Sequence, residues 1–330
     1  MRDLRVELPL AGVYRAAVDG VGFDLAEGEA LAVVGESGCG KSLLARALFG
    51  LAPEGARCTG SVRLGGRELS GLSESEWREV RGGQMALVFQ EPGAAFDPVR
   101  TVGSQIAEAA RLHGRVSRRA AREITRARLA EVSFPDPDRI SDEYPHRLSG
   151  GQRQRAFLAM ALAANPRVLI ADEPTASLDA TVAAETLELL GRLRGERGLA
   201  LLLITHDLSL VARHTGRALV LYAGKVAEEA ATGELFRAPR HPYTRGLLRC
   251  VPRIARPGAP RGARFDAIPG TVPDLASRGG VGCAFAPRCP ERFEPCAARD
   301  PELYPDGAAL ARCFLYERGG ASRGSAAAPA

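Results

Sequence analysis

The chain has 330 residues, 45% of them hydrophobic, with 44 basic and 39 acidic residues and a net charge of +5. That length and apolar share suit one to two globular domains with ample core, and they exclude a disordered or fibrous chain. The longest apolar run, residues 156–164, is far too short to cross a bilayer, and the opening Met1-Arg2-Asp3-Leu4-Arg5 lacks the apolar core of an export signal. A cytosolic chain is expected, tied to a membrane only through partners.

In chain order, the first strong signal is Gly35-Glu36-Ser37-Gly38-Cys39-Gly40-Lys41-Ser42. It follows the apolar run Leu31-Ala32-Val33-Val34 and precedes a helix-forming stretch that starts at Leu43. Strand, glycine-rich loop, then helix is the context a phosphate-binding loop needs. The glycines let backbone N–H groups converge on phosphate oxygens, and the helix points its positive end at the same anion. Lys41 is placed to reach the β- and γ-phosphates, and the Ser42 hydroxyl to bind Mg²⁺. Tyr14 is the nearby upstream aromatic. Further on, Met85-Ala86-Leu87-Val88-Phe89 reads as a core strand ending at Gln90, where an amide can touch Mg²⁺ and water.

Residues 91–165 read as mostly helical, with helices over 102–113, 117–132 and 150–164. Arg115, Arg118, Arg119, Arg122, Arg126 and Arg128 cluster there. They fit the solvated face of an amphipathic helix better than a nucleic-acid surface, since no nucleic-acid module accompanies them. Leu148-Ser149-Gly150-Gly151-Gln152 opens the last helix, with Ser149 as a natural N-cap. Next, the apolar run Val168-Leu169-Ile170-Ala171 empties into Asp172 and Glu173, the pattern of a buried parallel strand ending in a site. Asp172 suits Mg²⁺, and Glu173 suits the orientation of an attacking water. His206 follows the run Leu201-Leu202-Leu203-Ile204-Thr205, at the carboxyl edge of the same expected sheet.

These motifs, in this order, resemble the ATP-binding subunits of ABC transporters over most of residues 1–230. The resemblance implies an α/β P-loop NTPase of ABC type. It has a mostly parallel sheet core, N-terminal antiparallel strands and a helical subdomain at about 91–165. It implies ATP and Mg²⁺ as ligands and an adenine stacked on Tyr14. Contacts to the nucleotide come from Gly35, Ser37, Gly38, Cys39, Gly40, Lys41, Ser42, Leu43, Gln90 and Asp172. Glu173, His206, Gln90 and Lys41 carry the hydrolysis. It also implies that the signature, Leu148 to Gln152, acts in trans: Ser149, Gly150 and Gly151 cap the γ-phosphate held by a partner's loop. Asp179, in the turn Ser177-Leu178-Asp179, links the two sites.

The phrases Phe89-Gln90-Glu91-Pro92, Tyr144-Pro145-His146 and His241-Pro242-Tyr243-Thr244 resemble the dipeptide/oligopeptide importer branch, nearer its first ATPase (D-type) than its second (F-type). Phe96-Asp97-Pro98 stands where Leu-Asn-Pro is usual, and Gln152 where D-type chains often carry Met. The branch implies a homologous but different second ATPase subunit, two permease subunits and, indirectly, an extracellular or periplasmic solute-binding protein. It places the chain on the cytoplasmic face of the membrane, with the segment after Gln90 meeting a permease helix and no nucleic acid as partner. The alternative is a soluble ABC ATPase acting on ribosomes or DNA.

After Cys250 the composition shifts, with Pro252, Pro257, Pro260, Pro269 and Pro273 breaking regular structure. Domains are expected at 1–250 (ATPase), 251–318 (cysteine-rich) and 319–330 (disordered tail). Cys283, Cys289, Cys296 and Cys313 fall in a loop-rich segment with no obvious core of its own. Four thiols there suggest a metal staple, and their spacing alone does not choose between zinc and iron–sulfur. The importer resemblance implies a [4Fe-4S] cluster, far from the ATP.

Overall fold

A computed structural model describes residues 1–89, 95–176, 178–251 and 267–317. The centre is an eight-stranded sheet ordered β12-β13-β11-β10-β3-β9-β8-β7. Its parallel part joins β7 (Met85–Val88), β8 (Val168–Asp172), β9 (Ala200–Thr205), β3 (Ala30–Val34) and β10 (Arg217–Tyr222). These strands are almost wholly buried, which explains why they read as unbroken apolar runs rather than alternating ones. Their carboxyl ends carry the phosphate loop, Asp172-Glu173 and His206 to one edge.

A separate antiparallel sheet of β1 (Arg2–Leu10), β2 (Val13–Val21) and β4 (Arg57–Ser61) covers the loop side, as expected of the N-terminus. A small hairpin, β5 (Arg63–Leu64) and β6 (Arg67–Glu68), follows it. Helix α1 (Lys41–Leu48) runs from the phosphate loop, and α2 (Glu74–Val80) starts in a capping box made by Ser73 and Glu76.

The helical region holds α3 (Val102–Gly114), α4 (Arg118–Glu131), α5 (Pro137–Asp142) and α6 (Gly150–Ala161). Each starts at a side-chain cap: Thr101, Ser117, Asp136 and Ser149. The last of these ends at Ala161, three residues before the expected 164. Leu162 to Ala164 instead turn toward β8, and just before that strand the Arg167 N–H donates to the Gln84 carbonyl at 2.8 Å. The arginines of α4 are mostly exposed, and its buried face is Ala121, Thr125 and Leu129, as the amphipathic reading expects. Phe96 packs edge-on to Phe157 of α6 at 6.1 Å, fixing the segment that leads into α3.

Beyond these come α7 (Ala180–Arg197), α8 (Leu208–His214), β11 (Lys225–Ala231), α9 (Thr232–Arg237) and α10 (Pro242–Cys250). The cysteine-rich segment supplies α11 (Pro295–Ala298), β12 (Tyr304–Asp306) and β13 (Ala309–Ala311). It is not coreless. Strand β13 pairs antiparallel with β11 and so extends the central sheet, and Phe285 is buried against Tyr222, Tyr243 and His241. A segment too small to bury its own apolar side chains borrows the edge and core of the larger unit. The expected tail at 319–330 lies outside the described residues.

Candidate functional site

The phosphate loop turns sharply between β3 and α1. Gly35 has φ +155 and Gly40 φ +111; a Cβ at Gly35 would meet the Leu221 carbonyl at 2.3 Å, and one at Gly40 the Ala17 carbonyl at 2.8 Å. Only glycine fits either place. Lys41 is buried, and its ammonium donates to the carbonyls of Gly35 (2.8 Å) and Glu36 (3.0 Å), which holds it over the loop. The Ser42 hydroxyl donates to Asp172 Oδ1 at 3.2 Å, although 130 residues separate them. Two hard oxygen donors side by side, at the positive end of a helix that follows the loop, form a fit set for Mg²⁺. Burial pushes the Asp172 carboxyl above its ordinary range, and neighbouring Glu173 adds to this against the Ser42 hydrogen bond and the Lys41 charge.

Glu173 follows Asp172 out of β8 with φ +48, a left-handed conformation in a non-glycine residue, fixed by its N–H donating to the Ile204 carbonyl at 2.9 Å. The carboxylate is mostly buried and lies 3.0 Å from His206 Nδ1. Both residues line one cavity of about 890 Å³ together with Gly35, Ser37, Gly38, Gly40, Lys41, Ser42 and Leu43. Cys39 turns inward and is fully buried. Gln90 and Ser177 lie outside the described residues.

No described signature residue lines that cavity. Ser149 caps α6 in a reciprocal box: its hydroxyl accepts from the Gln152 N–H at 3.3 Å, and the Gln152 amide oxygen accepts from the Ser149 N–H at 3.0 Å. Ser149 and Gly150 stay exposed while Leu148 is buried as an anchor. A Cβ at Gly151 would meet Val182 Cγ1 at 2.6 Å, so the signature turn lies against the start of α7. Asp179 caps that same helix, accepting from the N–H groups of Thr181 and Val182. The two motifs expected to face a partner therefore sit together, away from this chain's own phosphate loop.

Tyr14 does not line the phosphate-loop cavity. Its ring lies under the Arg57 guanidinium, 3.6 Å from the centroid, and faces a neighbouring cavity. The two cavities share Pro273 and Arg278 as walls.

Part of the cysteine-rich segment lies against the phosphate loop. Residues Val272, Pro273, Asp274, Leu275 and Arg278 line the phosphate-loop cavity. Arg278 donates to the carbonyls of Gly38 and Ala17, and Arg288 grips the Glu36 carboxylate through both of its terminal nitrogens, at 2.7 and 2.9 Å. Sequence reasoning missed Glu36, Arg278, Arg288 and Tyr243. The one available signal was a carboxylate inside an anion-binding loop, which needs a cation nearby.

The four C-terminal cysteines are gathered in one region, with the Cys283 N–H donating to the Cys296 carbonyl at 2.9 Å. Burial pushes Cys289 up to about 11 and Cys313 up to about 12, and the charges of the neighbouring cysteines push the same way. Among the described residues no group of three or more His, Cys, Asp or Glu is set to hold a metal ion. The four thiols do not form a ready cage for an ion.

Among the described residues no helix is long and apolar enough to cross a membrane. The family model "ABC transporter" matches residues 18–176, and "Oligopeptide/dipeptide transporter, C-terminal region" matches 227–296. A probable peptide ABC transporter ATP-binding protein of Sinorhizobium fredii is 46% identical over 305 residues, covering 92% of this chain and 90% of the relative. The dipeptide transport ATP-binding protein DppD of Bacillus subtilis is 44% identical over 298 residues, 90% of this chain and 88% of the relative. An ATP-binding cassette solved as a dimer in a post-hydrolysis state with ADP and Pi superposes with a TM-score of 0.62 at 25% identity, over 69% of this chain and 98% of that one. With phosphate loop, acid pair, signature and C-terminal region all in place, the chain belongs to the ATP-binding proteins of the ABC transporter family, in its oligopeptide/dipeptide branch.

Proposed function

We propose that the chain binds and hydrolyses ATP to drive uptake of di- or oligopeptides through a membrane permease, working as one of two ATPase subunits. One observation carries this reading. The cavity that gathers the phosphate loop, Glu173 and His206 holds no signature residue, while Ser149 and Gly150 of the signature stand exposed elsewhere, beside the helix that Asp179 caps. The chain's chemistry is complete and its geometry is half of a pair.

The roles follow from position. Backbone N–H groups of Gly38, Gly40, Lys41 and Ser42 face the phosphates, and the Lys41 ammonium meets the β- and γ-oxygens. Ser42, Gln90 and Asp172 would hold Mg²⁺, which supplies charge neutralisation across the β- and γ-phosphates. Glu173 holds the attacking water by its carboxylate, and His206, paired to Glu173, donates toward the γ-phosphate. Tyr14 is the aromatic for the adenine, because its cavity adjoins that of the phosphate loop across Arg278. Ser149, Gly150 and Gly151 present the α6 N-terminus to the γ-phosphate in the partner's loop.

The partners are a second, homologous ATPase subunit and two permease subunits, with a solute-binding protein acting through the permease. The chain works at the cytoplasmic face of the membrane. Exposed Val99, beside the anchored Phe96, marks the surface for a permease helix. Cys283, Cys289, Cys296 and Cys313 would hold a [4Fe-4S] cluster, a zinc ion being the less suited occupant. Iron and acid-labile sulfide in anaerobically purified protein, lost in Cys289→Ser, check that assignment.

Co-purification and reconstitution test the whole reading. A tagged chain should bring down integral-membrane subunits and a second ATPase, and the complex in vesicles should couple ATP hydrolysis to peptide entry. Capture of ribosomes or DNA with no membrane subunit would sink it.

A further inference from the structure

The phosphate loop of this chain contains an acid, Glu36, beside the place where a highly charged anion binds. An unpaired carboxylate there opposes the nucleotide by like-charge repulsion. Arg288 meets it in a two-pronged contact at 2.7 and 2.9 Å, and only 6% of Arg288 is exposed. Its remaining Nε donates to the Pro269 carbonyl at 2.8 Å. The fork is therefore held in one orientation, as paired recognition of a carboxylate requires.

Glu36 is pinned from the same side a second time. Its backbone N–H donates to the hydroxyl of Tyr243, a fully buried residue of α10. The Glu36 carbonyl accepts from Lys41, so the contact chain from Arg288 reaches the ammonium through one residue, Glu36. On the other flank Arg278 donates to the Gly38 carbonyl. Arg288 itself ends a tight turn between two cysteines: Ala286 N–H donates to the Cys283 carbonyl at 2.9 Å, and Cys289 N–H to the Ala286 carbonyl at 3.3 Å. The backbone of Arg288 thus belongs to the same short turn that carries Cys283 and Cys289.

We propose that Arg288 is a positioning residue for the phosphate loop, neutralising and orienting Glu36, and that through it the order of the cysteine-rich segment and the affinity for ATP are linked. The link is reciprocal: ATP at the loop tightens the turn between Cys283 and Cys289, and loosening that turn weakens ATP. This rests on the phosphate loop being the nucleotide site, which ATP binding by the unaltered protein tests separately.

The experiment is a double-mutant cycle on ATP binding in the full chain, joined to hydrogen exchange. Arg288→Gln should weaken ATP binding at least tenfold, because Glu36 is left unpaired beside the phosphates. Glu36→Gln alone should weaken it less than Arg288→Gln does, because it leaves no unpaired acid beside the phosphates. The double variant should recover most of the loss, which a merely structural role for Arg288 would not produce. In the unaltered protein, ATP should slow backbone exchange at residues 285–289, and Arg288→Gln should abolish that slowing. Unchanged affinity in Arg288→Gln, or a double variant no better than it, overturns the proposal. If Arg288→Gln does not fold, exchange at 285–289 in the unaltered protein decides: no response to ATP overturns the link.

Discussion

His206 Nδ1 lies 3.0 Å from Glu173 Oε2, although the two residues are 33 apart in sequence and leave different strands. Adjacent parallel strands bring them together: β8 and β9 pair in register from Val168 with Ala200 to Asp172 with Ile204, so their next residues emerge side by side. The pair gives the site a carboxylate with a fixed direction.

Glu173→Gln should leave ATP binding intact and slow hydrolysis by about 100-fold or more, the usual worth of a positioned base. Single-turnover hydrolysis beside an equilibrium binding assay separates the two effects. Full steady-state activity in that variant would remove Glu173 from the role assigned to it.

Ser149→Arg should stop hydrolysis in the assembled complex while this chain's own phosphate loop still binds ATP. The substitution crowds an exposed turn that serves another subunit. Gly151→Val should act likewise, since even a Cβ there reaches within 2.6 Å of Val182. Normal hydrolysis at both composite sites in Ser149→Arg would refute action in trans.

Asp172→Asn should melt at a higher temperature than the unaltered protein without nucleotide, yet gain less from Mg²⁺ and ATP. Burial holds the Asp172 carboxyl above its ordinary pKa, so folding favours its protonated form. Stability from this group falls as pH rises through the ordinary carboxylate range to the raised value, and the cost persists at neutral pH. Thermal melts at neutral pH, with and without Mg²⁺ and ATP, read both effects.

His241 should make the fold acid-labile. Burial pushes it down to about 3, with the Arg245 and Arg312 charges acting the same way, and its Nδ1 caps α10 by accepting from the Tyr243 N–H at 3.0 Å. The unfolded chain therefore binds a proton that the folded chain refuses. Stability falls as pH drops below the ordinary histidine range, by roughly 2 kcal/mol at about pH 5. His241→Asn keeps a capping side chain and should flatten that part of the stability-versus-pH curve. Denaturant melts across the range check the slope.

The residues that line the phosphate-loop cavity from the sheet's carboxyl edge could be picked out in advance because each part is local. Gly35 to Ser42 is one continuous loop, and Asp172, Glu173 and His206 stand at the ends of apolar runs that can only be buried strands. Ser149 announced its cap by its type, and the structure adds the reciprocal bond from Gln152. Tyr14 was chosen by distance along the chain, and its actual neighbour, Arg57, comes from β4, a pairing that sequence spacing does not encode.

The order of motifs along this sequence determined the family, the sheet, the phosphate chemistry and the need for a partner, because short-range patterns and backbone geometry decide those. Tertiary structure alone decided where the cysteine-rich segment goes. Its few apolar side chains gain burial only by docking on β11 and the Tyr222–Tyr243 cluster. That docking carries Arg288 to a carboxylate 252 residues away. Charge pairing over such a separation has no periodicity to read, so the contact between the cysteines' segment and the phosphate loop appears only once the chain is folded.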